Sequence, residues 1–296
     1  MASKFKQTGW IVVAAVVVGI VALAWKYLST HTIAVLDPAG TIGRQELQLI
    51  EIAVGLSVIV VIPVYAMTVA IAVRYRAGNK KAKYDPDFDH SRVLESFWWG
   101  IPFAIIAILS VITWDSSHAL DPYKKLAMSK TINVDVVALD WKWLFIYPDL
   151  HLASVNLLEF PTDTAMSFNI TSDTVMNSFW IPQLGGQIYA MPGMSTELNL
   201  AADRPGTYAG SSANISGDGF SSMTFRAVAV SNSDFNSWVE KVRSVNRPLD
   251  QAGYSDLSKP TNGYPVTYYS SIDSSLYNSI VAKYMSPNGA VMGMSQ

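Results

Sequence analysis

The chain has 296 residues, half of them hydrophobic, and a formal net charge of only −2. This length allows one or two domains with a proper core, and this charge gives no support to nucleic-acid binding. Because the sequence contains no cysteine, disulfides, thiolate nucleophiles and thiolate metal sites are excluded.

The first apolar run, residues 10–25, follows Lys4 and Lys6. A basic start before an apolar run is typical of a secretory signal peptide, here with Ala22-Leu-Ala24 as a possible cleavage site. The same pattern fits a retained signal anchor. The sequence leaves both alternatives open for residues 1–28, and both give the same topology for the rest of the chain.

Two further apolar runs, residues 52–73 and 96–114, carry no charged residue. The length of each run is close to the ~20 helical residues that are needed to cross the hydrocarbon layer of a membrane. We therefore predict a two-helix transmembrane hairpin over residues 36–115, with spans at about 50–73 and 95–114. Each span contains one proline, which a bundle of membrane helices tolerates better than a soluble helix does.

The loop between the two spans is rich in basic residues. The positive-inside rule counts these bases and largely ignores the acids beside them, so we predict that the loop is cytoplasmic. Everything after Trp114 is then periplasmic. The basic residues are Arg74, Arg76, Lys80, Lys81, Lys83 and Arg92, and the acids are Asp85, Asp87 and Asp89.

The segment after the hairpin alternates as strands do. Ile132, Val134 and Val136 fall on one face, and a second alternation follows a short break. Several short strands separated by Pro-Gly turns predict an all-β sandwich over residues 116–230. The second alternation comprises Trp141, Trp143, Phe145 and Tyr147, and further candidate strands lie at 165–171, 196–200 and 223–230.

The C-terminal part, residues 231–296, changes pattern again. Residues 235–242 and 274–285 have the spacing of short amphipathic helices, and a connection rich in Pro, Gly, Ser and Tyr joins them. We predict a helical extension here.

Two motifs, Asp140-Trp-Lys-Trp143 and the stretch at residues 175–194, resemble subunit II of the haem–copper terminal oxidases. Leu36-Asp-Pro-Ala-Gly40 and Ala82-Lys-Tyr-Asp-Pro86 are similar to the cytochrome bo-type ubiquinol oxidase branch of that family. The resemblance extends over about residues 36–230 and, more weakly, to the C-terminus. It implies that the sandwich is a cupredoxin fold.

The copper-bearing branch of this family holds a dinuclear copper centre in that fold, and the resemblance places its ligands on this chain. Only the methionine and the backbone-carbonyl position are retained. A serine hydroxyl bridges copper poorly and a phenyl ring cannot ligate it, so the resemblance implies that this chain binds no cofactor. The positions are Asn177 and Phe220 for the two histidines, Ser212 and Ser216 for the two cysteines, Asn214 for the carbonyl and Met223 for the methionine.

The aromatic pair Trp141 and Trp143 resembles the cytochrome c entry face of the copper-bearing branch. Packing within the sandwich or against a partner subunit is the interpretation we favour for both. Glu95 opens the last apolar run, where an acid stabilises the start of a helix. Its position also matches the family glutamate at the cytoplasmic mouth of a proton-uptake channel, where a carboxylate near water can gather protons.

The resemblance as a whole implies a non-catalytic subunit II of a proton-pumping ubiquinol oxidase in the bacterial inner membrane. Its expected partners are the haem- and copper-bearing subunit I, subunits III and IV, ubiquinol and membrane lipid. Two alternatives remain. A cytochrome c oxidase subunit II with a degenerate copper site would need another haem relay, and the sequence has no Cys-x-x-Cys-His. A non-oxidase periplasmic binding module would leave both motifs unexplained.

Overall fold

The computed structural model describes residues 18–20, 22, 23, 25–30, 32–79, 81, 82 and 87–285. Most of the first apolar run, Ala24 of the possible cleavage site and the C-terminal residues 286–296 lie outside this part of the chain. The choice between a signal peptide and a signal anchor at residues 1–28 therefore stays a prediction. Lys80, Lys83 and residues 84–86 of the basic loop also lie outside it.

Two long apolar helices form the hairpin, α1 (Thr41–Arg74) and α2 (Arg92–Ala119). Both are long and apolar enough to cross a membrane, and the most apolar window of each has no buried residue. Each is longer than the predicted span, because the helical backbone continues into polar sequence at both ends. Pro63 and Pro102 lie inside the helices, as the sequence predicts for membrane segments.

The chain after the hairpin forms two main sheets. Their strands are β1 (Thr131–Leu139), β2 (Lys142–Tyr147), β3 (Leu152–Val155), β4 (Leu157–Pro161), β5 (Ala165–Ser172), β6 (Asn177–Trp180), β7 (Ile188–Ala190), β8 (Thr196–Leu200), β9 (Gly206–Ser212), β10 (Thr224–Val230) and β12 (Thr267–Tyr269). The first sheet contains six strands in the order β12-β3-β2-β1-β5-β8, and the second contains five in the order β4-β10-β9-β6-β7. The predicted sandwich is thereby confirmed.

The core between the two sheets is built from the alternating residues of β1 and β2. Val134, Val136, Trp143, Phe145 and Tyr147 are all fully buried in one hydrophobic cluster. β1 pairs antiparallel with β2 and parallel with β5, so this central strand is covered by neighbours on both edges. The periodicity in the sequence therefore identifies the correct inward face.

The opposite face of the same strands is also buried, which the sequence analysis missed. Val137 and Leu139 of β1 and Leu144 and Ile146 of β2 form a second cluster with side chains from the C-terminal extension. The extension comprises α3 (Asn232–Ser244), β11 (Pro248–Leu249), α4 (Gln251–Leu257), β12, β13 (Ser271–Ile272) and α5 (Leu276–Lys283). Its elements β11, α4, β13 and α5 form a third layer over the six-stranded sheet, whereas the buried side chains of α3 pack into the first cluster.

The predicted extension contains more than helices. The helices predicted at 235–242 and 274–285 correspond to α3 and α5, whereas α4 was not predicted. β12 pairs antiparallel with β3 and so completes an edge of the six-stranded sheet. The domain boundary predicted between residues 230 and 231 stays a prediction, although hydrogen bonds of the sheet cross it.

Asp173, in the turn between β5 and β6, attaches this third layer. Its carboxylate, only 1% exposed, accepts hydrogen bonds from the Tyr254 hydroxyl at 2.6 Å and from Lys283 Nζ at 2.8 Å. Its backbone carbonyl accepts a third from the Tyr284 hydroxyl at 2.9 Å. One buried acid therefore holds both α4 and α5 against the sandwich.

Candidate functional site

The six positions that the resemblance assigns to copper ligands lie on β6, at the end of β9 and in the loop that leads to β10. The Ser212 hydroxyl lies 3.0 Å from Asn177 Oδ1 and 3.2 Å from the carbonyl of Asn214, so it can donate to either oxygen. Asn214 Nδ2 donates to the carbonyl of Met176 at 3.0 Å. The structure therefore brings Asn177, Ser212 and Asn214 together in one hydrogen-bonded group.

The other ligand positions lie on the same loop. The Ser216 hydroxyl lies 3.9 Å from the sulfur of Met223, which is 1% exposed. Phe220 begins a short 3-10 turn, Phe220–Ser222, that leads directly to Met223. The phenyl ring offers no ligand atom.

This donor set does not fit a dinuclear copper centre. Such a centre needs soft thiolates and imidazoles, whereas these positions offer amides, hydroxyls and one thioether. Asn177 and Ser212 are almost fully buried and satisfy each other, which leaves them poorly placed to turn toward an ion. Within the part of the chain that the structure describes, no group of three or more His, Cys, Asp or Glu residues could hold a metal.

Trp141 lies beside this loop, and one prediction about it was wrong. The alternation predicted Trp141 inside a strand, but it occupies the turn between β1 and β2 with a left-handed φ of 63°. Its indole Nε1 donates to the carbonyl of Ser216 at 3.2 Å. Trp143, in contrast, packs in the core as predicted, with ring centroids 5.3 Å from Phe179 and 5.9 Å from Phe225.

Glu95 lies in the first turn of α2, as the sequence predicts. Its Oε1 accepts a hydrogen bond from the backbone N–H of Ser91 at 3.3 Å, while the Ser91 hydroxyl accepts from the N–H of Leu94 at 3.5 Å. This reciprocal arrangement caps the helix. The carboxylate is also exposed and lines a cavity of about 310 Å³ together with Asp89 and His90. Its position is compatible with both capping and proton uptake.

A cluster of contacts that the sequence analysis missed joins the hairpin to the sandwich. The N–H of Ala39 donates to the carbonyl of Gln183 at 2.7 Å, and the N–H of Gly43 donates to the carbonyl of Leu184 at 3.0 Å. Glu46 Oε1 accepts from the N–H of Gly186 at 2.8 Å. The start of α1 is therefore bound to the loop after β6.

Two ion pairs strengthen this junction. Arg204 Nη2 donates to Asp37 Oδ1 at 2.6 Å, and Arg44 pairs with Asp203. Both acids and both arginines are partly exposed, so solvent screens each pair and its contribution to stability is small. The sequence carries a signal for this junction in the motif at residues 36–40 and in the Gly185-Gly186 pair.

Two family models match the part of the chain that follows the hairpin. Residues 147–230 match the family model for the periplasmic domain of cytochrome c oxidase subunit II, and residues 243–288 match the COX aromatic rich motif. The second match covers most of the third layer.

Curated relatives match the chain over most of its length. Cytochrome bo(3) ubiquinol oxidase subunit 2 of Pseudomonas putida is 50% identical over 254 residues, which are 86% of this chain and 81% of that protein. Ubiquinol oxidase subunit 2 of Acetobacter aceti is 50% identical over 264 residues, 88% of this chain and 85% of that protein. Quinol oxidase subunit 2 of Bacillus subtilis is 37% identical over 240 residues, 80% of this chain and 75% of that protein.

Proposed function

Because the chain belongs to the ubiquinol oxidase subunit 2 family, we propose that it serves a haem–copper oxidase complex whose electron donor is ubiquinol. The observation that carries this proposal is the 50% identity to ubiquinol oxidase subunits over more than four fifths of both chains. In this complex, quinol oxidation is coupled to the reduction of oxygen to water in the partner subunit I, and protons are pumped.

The loop between β9 and β10 supports a donor that bypasses the periplasmic domain. A soluble electron-donor protein would need a redox centre in this domain to pass its electrons inward. The amides, hydroxyls and single thioether at the ligand positions supply no such centre. A lipid-soluble quinol can instead deliver electrons within the membrane, directly to the catalytic subunit.

The role of this chain is structural and supportive. The exposed apolar surfaces of α1 and α2 pack against subunit I and lipid, and the cupredoxin-like sandwich covers the periplasmic face of the complex. The haems and copper belong to subunit I, so this chain is a non-catalytic subunit. Subunits III and IV complete the assembly in the bacterial inner membrane.

Glu95 contributes a proton entry point from the cytoplasm. Its carboxylate is exposed at the end of α2 that continues from the basic loop, which is the end that the positive-inside rule assigns to the cytoplasm. A carboxylate at the end of a membrane helix can stay near water, so its desolvation costs little. Its single hydrogen bond from the Ser91 N–H leaves acceptor capacity on the other oxygen.

The experiment that tests this function compares electron donors on the purified complex. We expect oxygen uptake with ubiquinol and none above background with reduced cytochrome c, in a preparation whose absorption spectrum shows the haems of subunit I. Uptake with cytochrome c and not with quinol would instead identify a cytochrome c oxidase that works without its usual copper centre.

A further inference from the structure

A cavity of about 360 Å³ lies between the start of α1 and the loop after β6. Glu46 of α1, Trp180 at the end of β6 and Gln187 are among the residues that line it. Small-molecule sites have volumes of about 300–1,000 Å³, so this cavity can take a small polar group but not a whole lipid. We call it the Glu46 pocket.

One oxygen of the Glu46 carboxylate is held by the sandwich. Oε1 accepts a hydrogen bond from the N–H of Gly186 at 2.8 Å, and a Cβ on Gly186 would fall 3.0 Å from that oxygen. The glycine therefore leaves room for the carboxylate to approach the backbone. Oε2 receives no hydrogen bond from the described residues, so the carboxylate keeps acceptor capacity for a ligand.

No cation neutralises this carboxylate within the part of the chain that the structure describes. Arg44, which lies in the same helix, pairs with Asp203. Arg204 pairs with Asp37, just before that helix. Glu46 itself is only partly exposed. Because a partly buried charge without a partner is costly, the pocket favours a ligand that carries a positive charge.

The Trp180 indole supplies a second feature that favours a cation. It lines the same pocket and is partly exposed. Among the aromatic side chains, an indole attracts a cation most strongly when the cation lies over the ring within about 6 Å of its centroid. A carboxylate and an indole in one small cavity therefore provide two groups that bind an organic ammonium group.

The depth of the pocket favours a membrane lipid as the source of that ammonium. The predicted span of α1 begins at about residue 50, four residues after Glu46. At ~1.5 Å per residue, Glu46 lies about 6 Å outside the hydrocarbon layer. The polar head groups occupy roughly 5–8 Å on each side of that layer, so the pocket lies at their level.

We propose that the Glu46 pocket binds the primary ammonium head group of a membrane lipid, such as phosphatidylethanolamine. Glu46 Oε2 accepts a charge-assisted hydrogen bond from the ammonium group, and the Trp180 ring stabilises the same charge. The side-chain amide of Gln187 can donate to the phosphate that follows the ammonium in such a lipid. This site depends on the insertion of α1 into a membrane and not on the electron donor of the complex.

A membrane-permeable carbodiimide tests this contact in the intact complex, reconstituted in nanodiscs of phosphatidylethanolamine and phosphatidylglycerol. The reagent activates a carboxylate, an amine in contact with it then forms an amide, and the carbodiimide takes up the elements of water and leaves as a urea. Peptide mass mapping should find the phosphatidylethanolamine adduct on Glu46 several-fold above that on Glu51. Glu51 is the control, because it is an exposed acid in the same helix that does not line the pocket. Phosphatidylcholine has no N–H, so replacing phosphatidylethanolamine with it should abolish the adduct.

Two sets of variants separate the lipid site from the junction. Trp180→Leu removes the indole and should lower the adduct on Glu46 several-fold, whereas Trp180→Phe keeps an aromatic face and should retain more. Glu46→Gln keeps an oxygen for the N–H of Gly186 and removes the charge. In native mass spectrometry, we expect this complex to retain one phosphatidylethanolamine fewer than the parent and an equal amount of phosphatidylglycerol.

The proposal is overturned if the adduct on Glu46 does not exceed that on Glu51, or if Glu46→Gln retains as much phosphatidylethanolamine as the parent. A cross-link from Glu46 to a lysine of another subunit would overturn it as well, since a protein amine would then fill the pocket. Parental adduct levels in Trp180→Leu would refute the contribution of the indole.

Discussion

At the scale of single residues, Asn177 and Ser212 show how hydrogen bonds can hold the loop that carries the six ligand positions. Both are almost fully buried, and a buried polar group without a partner costs about 1–3 kcal/mol. The 3.0 Å contact between the Ser212 hydroxyl and Asn177 Oδ1, together with the bond from Asn177 Nδ2 to the Val175 carbonyl at 3.0 Å, satisfies these groups. Neutral hydrogen bonds thus hold Asn177 and Ser212 in place.

Glu95 gives the first prediction at this scale, because helix capping and proton uptake predict different activities of the Glu95→Gln complex. If Glu95 only caps α2, Glu95→Gln should cost at most about 1 kcal/mol of local stability and leave turnover nearly unchanged. If it admits protons, the neutral amide can neither gather nor release them. We then expect slower quinol oxidation in Glu95→Gln, with normal assembly and haem content.

The measurement is steady-state oxygen uptake by purified complexes matched for haem. Glu95→Asp is the control, since it keeps a carboxylate and should retain more activity than Glu95→Gln. Equal rates for the parent and both variants would show that the residue is structural.

Three buried tyrosines of the C-terminal extension give a prediction about alkaline pH. Burial raises the pKa of Tyr269 to about 12 from its ordinary 10.0, and burial likewise raises the pKa values of Tyr254 and Tyr277. The unfolded chain therefore loses these protons at lower pH than the folded chain does. The contribution of these tyrosines to stability should be constant below about pH 10 and should fall as pH rises toward 12.

This fall in stability is measured as the urea concentration at the midpoint of unfolding, at several pH values between 8 and 12. Tyr269→Phe removes one of the three titrating hydroxyls, so its stability should fall less steeply over the same interval. A slope identical to that of the parent would mean that Tyr269 ionises equally easily in the folded and the unfolded chain.

At the scale of elements, the sequence predicts the strands in which apolar and polar residues alternate. It misses the elements that are buried by segments distant in the chain. The sequence predicts four strands nearly to their ends, because apolar and polar residues alternate along part of each. These strands are β1, β5, β8 and β10. β2 is buried on both faces, since the third layer covers its outer side, and no local pattern reveals a cover that comes from more than a hundred residues away. β6 is too short to display a period, yet it carries Asn177.

The candidate site shows the same division. The motifs locate the six ligand positions, and their residue types alone exclude a copper–thiolate site. What the sequence could not give is the set of contacts around them, because the hydrogen bond of Trp141 to Ser216 and the approach of Asn262 to Gly219 join segments far apart in the chain. The left-handed turn at Trp141 also interrupts the alternation on which its strand prediction depended.

The start of α1 gives a prediction at this scale. A Cβ on Gly40 would lie 2.2 Å from the carbonyl oxygen of Ala201, and neither backbone can move freely. Gly40→Ala should therefore separate the start of α1 from the sandwich, at a cost of about 1–3 kcal/mol or more. Gly55→Ala is the matched control in the same helix, because a Cβ there meets nothing within 4 Å.

Limited proteolysis of the segment before α1, residues 37–40, measures this attachment. We expect faster cleavage near residues 37–40 in Gly40→Ala and parental cleavage in Gly55→Ala. Parental rates in both variants would show that the junction tolerates a methyl group and is less tightly packed than its contacts indicate.

At the scale of the whole molecule, the sandwich is fixed to both helices of the hairpin. The N–H and Nδ2 of Asn199 both donate to the carbonyl of Pro122, which follows α2, at 3.1 and 3.0 Å. The turn after β8 meanwhile binds the start of α1 through Arg204 and Asp37. The end of β8 and the turn after it thus contact both linkers, so the orientation of the sandwich should follow that of the hairpin.

The topology itself is the next prediction. Because the loop between α1 and α2 is rich in basic residues, a reporter inserted at residues 78–89 should be active only in the cytoplasm. A reporter fused after Gln296 should be active only in the periplasm. The same compartment for both would contradict a two-helix hairpin, and the reverse labelling would place the sandwich in the cytoplasm.

The last prediction concerns the periplasmic part as an independent body, residues 115–296. Both hydrophobic clusters lie almost entirely within this part, apart from Ala39, and the buried ligand positions are satisfied by one another. Its folding should therefore not require a metal, in contrast to domains whose metal supplies the folding energy. We expect a cooperative thermal transition whose midpoint is the same in a chelator and in excess Cu²⁺, because an ion that does not bind the folded state cannot stabilise it. The visible spectrum should stay colourless after copper is added, since the chain supplies no thiolate for an intense charge-transfer band. A stoichiometric coloured adduct, or a rise of the midpoint with copper, would show that Met223 and its neighbours still form a metal site.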